Sequence, residues 1–327
     1  MKYRSLGNTG EKLSAIGLGC MGMSFAYGEI DIDEAKATLS LALELGINFW
    51  DTADMYGFGA NEELLAPYLK ANRKDIFIAT KFGFRAGENG SRYFDGRPEY
   101  MKQAVEASLK RLGTDVIDLY YAHRIDDKVP VEEMVGAMAE LVQQGKVKYI
   151  GLSEAAAATL HRANKVHQIT ALQSEYSLNV RDVEAEILPA CRELGITFVP
   201  YSPLGRGLFG GTITDTENLA ADDFRRTLPR FQAENFAGNK KQEEAIARIA
   251  AELGISTPQL ALAWLLAQGE DIIPIPGTKK RRYLRDNAGA ADVVLSNDTL
   301  NGIEKILKEY KPQGGRYSEF GMAMVNR

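Results

Sequence analysis

Cysteine is scarce. Cys20 and Cys191 are the only two in 327 residues, too few for a disulfide framework and in keeping with a reducing compartment. Histidine is nearly as rare, with only His123, His161 and His167. Long apolar runs are missing as well. The longest, 260–267, is far too short to span a bilayer, and the opening Met-Lys-Tyr-Arg-Ser-Leu-Gly lacks the apolar stretch of a signal peptide. A formal charge of −5 gives no basic excess to attract nucleic acid or an acidic membrane surface. No repeat recurs at a 20–50 residue period, and no Gly-x-Gly-x-x-Gly fingerprint opens a helix after the first strand. These absences predict a cytoplasmic protein that engages neither nucleic acid nor membrane and is not built on the open dinucleotide-binding sheet.

What is present is an ordinary globular composition, 45% hydrophobic and 25% charged, in a chain long enough to bury a large core without staples. Short runs at 3–6 and 12–14 flank Gly-Asn-Thr-Gly, which predicts a hairpin plugging one end of the fold. Eight apolar strands follow, at 15–19, 47–51, 76–81, 116–122, 149–153, 171–175, 197–201 and 272–275, with helical spacing after each. Asp31 with Glu34 starts the first helix, Asn61 is expected to cap the second, and Gly46, Gly113, Gly145 and Gly195 supply stops. Residues 82–98, 202–239 and the tail from Lys311 read as irregular. Alternation of this kind predicts an α/β fold, a (β/α)8 TIM barrel with an N-terminal β-hairpin and a long loop after strand seven, forming a single domain over 1–327.

In such a barrel the carboxyl ends of the strands face the active site. Asp51, Lys81 and His123 end strands two, three and four, and Tyr56 follows strand two. Taken singly, each reads as structural: a cap, a solvated lysine, a core histidine. Jointly they form a chemical set. A lysine ammonium beside a phenol favours tyrosinate and lowers a pKa that is ordinarily ~10. Asp51 would keep that lysine charged, and His123 would orient a polar oxygen by hydrogen bonding. No serine or cysteine of the group has an adjacent base, so acyl transfer is not suggested.

Two further clusters stand at strand ends. After strand eight, Lys279, Lys280, Arg281, Arg282 and Arg285 place five cations within seven residues, preceded by Gly277-Thr278, a pairing that suits an anion nest. A cluster this basic suits a 2′-phosphate, hence NADP over NAD. At strands five to seven, Ser153-Glu154, Gln173 and Tyr201 present polar groups and an aromatic face able to stack on a flat ring.

These residues together resemble the aldo-keto reductase superfamily over nearly the whole chain. The resemblance is carried by Gly17-Leu18-Gly19, Asp51-Thr52-Ala53 with Tyr56-Gly57, Lys81, Tyr121-Ala122-His123, Gly151-Leu152-Ser153-Glu154, Gln173, Tyr201-Ser202-Pro203-Leu204 and Ile275-Pro276-Gly277-Thr278-Lys279. Within the superfamily the chain looks nearest to the microbial and plant branch with auxin-induced-protein-like and pyridoxal-reductase-like members. The resemblance implies a metal-independent barrel that reduces small aldehydes or ketones with NADPH. Tyr56 would be the proton donor, Lys81 and Asp51 would tune it, and His123 would position the carbonyl. Tyr201 would stack on the nicotinamide, and Ser153, Glu154 and Gln173 would hold its carboxamide. Gly19, Cys20, Met21 and Asp51 would line the ribose side, and Ser202, Leu204 and Arg206 would contact the pyrophosphate. Gly277, Thr278 and Lys279 would hold the 2′-phosphate, Asp286 and Asn287 the adenine. Three positions depart from the archetypal pattern: Glu154 replaces Asn, Arg124 replaces Trp after the histidine, and Tyr283 replaces an Arg of the closing helix, for which Arg285 is a candidate substitute.

The leading expectation is therefore an NADPH-dependent carbonyl reductase. Two rivals belong to other classes. One is an NADP(H)-binding sensor subunit with little turnover. The other is a metal-dependent barrel hydrolase using Asp51, Asp54, His123, Glu154 and Glu175.

Overall fold

The computed structural model describes residues 1–87 and 92–326. The strands in chain order are β1 (Tyr3–Ser5), β2 (Lys12–Ser14), β3 (Leu18–Gly19), β4 (Phe49–Asp51), β5 (Phe77–Phe82), β6 (Phe84–Ala86), β7 (Arg92–Phe94), β8 (Ile117–Ala122), β9 (Val147–Ser153), β10 (Ala171–Glu175) and β11 (Thr197–Tyr201). Seven of them form one parallel sheet in the order β11-β10-β9-β8-β5-β4-β3. Residues 272–277 close the ring between β11 and β3. Ile273 and Ile275 donate to Phe198 and Pro200, and Gly17 and Gly19 donate to Pro274 and Pro276. The two prolines have no N–H to return toward β3, so this eighth position carries isolated parallel bridges rather than a full ladder. Close approach here needs glycine: a Cβ on Gly19 would stand 2.8 Å from the Ile275 carbonyl oxygen.

Side chains alternate between two cores. Phe49, Ala79, Leu119, Tyr121, Val199 and Ile273 fill the barrel interior, and Leu6 and Leu13 from the β1–β2 hairpin close its floor. Trp50, Ile78, Tyr120, Ile150, Leu172 and Phe198 point outward under the helices. The inner layer fills the ring below the strand mouths, which leaves those mouths as the place for a site.

The helices are α1 (Ile32–Glu44), α2 (Ala60–Asn72), α3 (Pro98–Leu112), α4 (Val131–Gln143), α5 (Ala157–Val166), α6 (Ile187–Leu194), α7 (Ala233–Glu252), α8 (Thr257–Ala267), α9 (Arg281–Gly289), α10 (Asn297–Glu309) and α11 (Glu319–Ala323). Asp31 caps α1 by accepting from the Glu34 N–H, as its spacing predicts. Asn61 does not cap α2. Gly59 holds that position, and Asn61, fully buried, accepts from Thr52 Oγ1 and donates to the Cys20 carbonyl and Ser24 Oγ.

Three segments read as irregular carry structure. The loop after strand three folds into the β6–β7 hairpin, with residues 88–91 outside the described residues. The excursion after strand seven holds three 3-10 turns and the first residues of α7. The tail contributes α11 and two site residues. No single helix among the described residues is long and apolar enough to cross a membrane.

Candidate active site

β4 ends at Asp51, Lys81 is the penultimate residue of β5, and His123 directly follows β8. Parallel register sets these ends side by side, with Asp51 opposite Ala79 and Lys81 opposite Tyr121. Lys81 is fully buried, Asp51 is 2% exposed and Tyr56 7%. Lys81 Nζ donates to Asp51 Oδ1 at 2.5 Å and to the Thr52 carbonyl at 2.7 Å, and lies 3.4 Å from the Tyr56 hydroxyl. Asp51 Oδ2 accepts from Gln173 Nε2 at 2.8 Å. The His123 ring stands edge-on to Tyr56, with centroids 6.0 Å apart. The structure thus brings all four residues together.

The electrostatics differ from expectation at one point. Lys81 alone would bring the Tyr56 phenol down, but burial outweighs the lysine and holds it above its ordinary value. Tyr56 is a neutral phenol with its proton in place. Burial works against the Lys81 charge, yet Asp51 and Tyr56 outweigh it and keep the ammonium protonated. Burial also pushes the Asp51 carboxyl upward, against the pull of Lys81 and Gln173. His123 is held well below the ordinary imidazole range by burial and by the charges of Lys81 and Arg124, so it is neutral. Its Nδ1 is buried with no hydrogen-bond partner among the described residues. This set offers one O–H donor backed by a cation and one imidazole with an uncommitted nitrogen.

Ser153 and Tyr201 end β9 and β11, and Gln173, in the middle of β10, is in register with Ser153. Glu154 is more engaged than a lone acceptor. Its oxygens accept from Arg316 Nη1 and Nη2 (2.9 and 2.7 Å), from the Tyr201 hydroxyl (2.7 Å) and from the Glu175 N–H (3.1 Å). Burial pushes that carboxyl up, but Arg316 outweighs it and holds Glu154 below its ordinary value. Tyr317 places its hydroxyl 2.8 Å from that of Tyr201. Arg316 and Tyr317 come from the tail, where no local pattern in the sequence marks them. Arg206 pairs with Glu175 at 2.8 Å. Three of the five non-glycine residues with positive φ among the described residues, Glu154, Ser202 and Arg206, lie on this side of the mouth, with φ of 54°, 49° and 58°. Strained backbone of this kind persists where surrounding structure holds it, often at a ligand clamp.

The remaining positions fall as follows. Cys20 is fully buried, its Sγ directed at the Leu18 carbonyl, its N–H donating to the Asp51 carbonyl and its own carbonyl accepting from Asn61. Leu204 is half-buried and packs on the outer core. Gly277 bridges to Gly19, and Thr278 Oγ1 accepts from the Lys280 N–H. Lys279 Nζ donates to the Tyr27, Gly28 and Glu29 carbonyls and straps that loop down. Arg281 pairs with Glu34, which also accepts from the Arg281 N–H at the start of α9. Asp286 accepts from Ser256 Oγ, and Asn287 is buried. Lys280, Arg282 and Arg285 are exposed and make no ion pair among the described residues. A phosphate at this corner would meet these three cations. The donor set fits a phosphorylated dinucleotide. It fits a metal poorly, since Asp51, Glu154 and Glu175 are each occupied by a cationic side chain.

The sequence profile described as the Aldo/keto reductase family matches residues 15–308. "Aldo-keto reductase yakc [NADP(+)]" of Schizosaccharomyces pombe is 45% identical over 320 residues, which is 96% of this chain and 94% of that protein. "Probable aldo-keto reductase 1" of Glycine max is 48% identical over 314 residues, 95% and 90% of the two chains. The solved structure of the glycerol dehydrogenase AKR11B4 from Gluconobacter oxydans superposes with a TM-score of 0.87 at 28% identity, covering 96% of this chain and 97% of that one.

Proposed function

Because this chain belongs to the aldo/keto reductase family, we propose that it is an NADPH-dependent reductase of small aldehydes or ketones in which Tyr56 is the proton donor. NADPH, when bound, supplies the hydride that reduces the carbonyl carbon. Ser153, Gln173 and Tyr201 would hold its nicotinamide end. Ser202 and Arg206 would hold the pyrophosphate, and Thr278 with the cations after strand eight the 2′-phosphate. The name of the Schizosaccharomyces pombe relative supports NADP(+) as the nucleotide.

The chain's own residues then handle the oxygen and its proton. Neutral His123 donates a ring N–H to the carbonyl oxygen and holds it beside Tyr56. As negative charge develops on that oxygen, Tyr56 passes it the phenolic proton. The tyrosinate left behind faces Lys81 Nζ at 3.4 Å, and Asp51 with the Thr52 carbonyl keeps that ammonium charged and aimed. A phenol held neutral by burial is the protonation state that reduction requires at its start.

The observation that carries this reading is the buried Asp51–Lys81–Tyr56 chain at the strand ends. Tyr56→Phe removes the proton and keeps the ring. Turnover with NADPH and an aldehyde should fall by about 10²–10⁴, while NADPH binding followed by its fluorescence stays near wild type. Wild-type rates in Tyr56→Phe would remove Tyr56 from the role.

A further inference from the structure

Of the cationic side chains at this mouth, three are matched by a carboxylate. Lys81 pairs with Asp51 at 2.5 Å, Arg206 with Glu175 at 2.8 Å and Arg316 with Glu154 at 2.7 Å. Arg124, next to His123 in the chain, is not matched. It is 8% exposed and has no carboxylate within 4.0 Å among the described residues. Its Nη1 donates to the His123 carbonyl at 2.7 Å and lies 3.4 Å from Ser153 Oγ, and its Nε has no partner among the described residues. The charge of Glu154 acts on Arg124 from beyond hydrogen-bond reach, but Arg316 occupies both its oxygens.

The position of this unmatched charge is informative. The Arg124 guanidinium carbon lies 5.6 Å from the Phe84 ring, and that ring also packs edge-on against His123, at 4.8 Å between centroids. Arg124 is therefore one side chain away from the imidazole that would hold the carbonyl oxygen. A buried guanidinium lacking an anion is costly, and it stays charged because its pKa is too high to shed the proton. Its planar fork suits a carboxylate or a phosphate, which accept two parallel N–H bonds.

From this geometry we infer that Arg124 is the specificity-determining residue of the site and that its substrates are carbonyl compounds bearing an anionic group, a carboxylate or a phosphate, a few bonds from the carbonyl carbon. The inference rests on the reductase reading and narrows its substrate class. The anion pairs with Arg124 while His123 and Tyr56 take the carbonyl oxygen, so charge and reacting group are fixed by two points.

Matched aldehydes test it. kcat/KM with NADPH is measured for 4-oxobutanoate against butanal and for glyceraldehyde 3-phosphate against glyceraldehyde. The wild type should favour the anionic member of at least one pair by tenfold or more, and the pair that shows this tells carboxylate from phosphate. In Arg124→Met that ratio should fall toward one, mainly through KM, and Arg124→Lys should retain part of it. Arg124→Lys also carries the test should the methionine variant fail to fold. Wild type without preference in either pair, or Arg124→Met with its preference intact, overturns the proposal.

A binding measurement separates this from failure of the reductase reading. Butanoate and inorganic phosphate are titrated into NADP+-saturated protein while the thermal midpoint is followed. A stabilisation by either that Arg124→Met loses supports the anion site even if no aldehyde is reduced, in which case the reductase reading alone falls. No stabilisation by either, or one equal in both proteins, overturns the anion site even if aldehydes are reduced.

Discussion

Tyr56, Lys81 and Asp51 share a setting in which burial works on each group separately, and the outcome depends on which has partners. Lys81 has two carbonyl or carboxylate oxygens within 2.7 Å and remains an ammonium. Tyr56 has one hydrogen-bond partner among the described residues, at 3.4 Å, and remains a phenol. The adjacent Asp54 shows the same physics with weaker compensation. Its Oδ1 is buried and unpartnered among the described residues, and it lines a cavity of about 450 Å³ with Phe84, Arg85, Tyr100 and Arg111. Burial, reinforced by Glu62, raises its carboxyl to about 7 against the opposing charge of Arg111. The sign of the pH effect follows. Between about pH 4 and 7 the folded state holds a proton on Asp54 that the unfolded chain has released, so stability falls as pH rises through that window. With some exposure discounted, the loss is about 2–4 kcal/mol. Asp54→Asn cannot ionise, so it should gain on the wild type by that amount between pH 4 and pH 8, read as the difference in urea midpoints. A difference that does not change with pH would mean Asp54 titrates normally. The residue-scale chemistry was legible in part: strand-end position identified Asp51, Lys81 and His123, but the direction of the Tyr56 shift depends on burial, which no local pattern reports.

At the scale of elements, the tail from Lys311 acts as a strap across the strand mouths. Arg316 reaches Glu154 and Glu175, Tyr317 meets Tyr201, and Asn326 accepts from the Ala156 N–H and from Thr159 Oγ1 at the start of α5. Removing one partner from a buried ion pair costs about 3–5 kcal/mol because the other is left charged and unmatched. In Arg316→Ala that cost should detach the strap before it unfolds the barrel, since α11 contributes no buried residue. Amide exchange over 316–326 should then speed up sharply while β5 and β8 keep their protection. Uniform acceleration across the chain would show that the tail and barrel unfold together.

The elements were unequally legible, for physical reasons. Barrel strands and their helices are marked by apolar period and by glycine stops at Gly46, Gly113 and Gly195, all with positive φ. The strap carries no period because its partners lie more than 100 residues away. The early turns of α7 read as loop because Asn235, Gly238 and Asn239 are poor helix formers. Asn239 is nevertheless 1% exposed and donates to the Arg230 and Gln313 carbonyls, so tertiary contacts outweigh propensity there. The β6–β7 hairpin lies in a stretch whose glycine and arginine content is that of a loop, although its Phe84 packs directly on His123. Its entry is tight: Gly83 has φ +127°, and a Cβ there would fall 1.8 Å from the Phe94 ring.

For the whole molecule, the relevant quantity is how charge is spread over an acidic chain. The net formal charge is −5, yet five cations crowd the corner where residues 272–277 close the barrel and α9 begins. Arg281 is neutralised by Glu34 and Lys279 is spent on backbone carbonyls, which leaves Lys280, Arg282 and Arg285 as a local positive field against the overall sign. Exposed ion pairs contribute about 0.2–1 kcal/mol each, so three of them amount to between about threefold and a hundredfold in affinity at low salt. If this field serves the 2′-phosphate, the whole of that advantage should belong to NADPH and none to NADH. Raising NaCl from 50 to 500 mM shortens the Debye length from above 10 Å toward about 4 Å and should weaken NADPH binding severalfold while moving NADH little. The triple substitution Lys280→Ala, Arg282→Ala, Arg285→Ala should reproduce the high-salt ratio at low salt, measured by fluorescence titration of both nucleotides. Equal salt dependence for the two nucleotides would assign the cations to the general pyrophosphate charge, and no dependence for either would make them an ordinary solvated helix face.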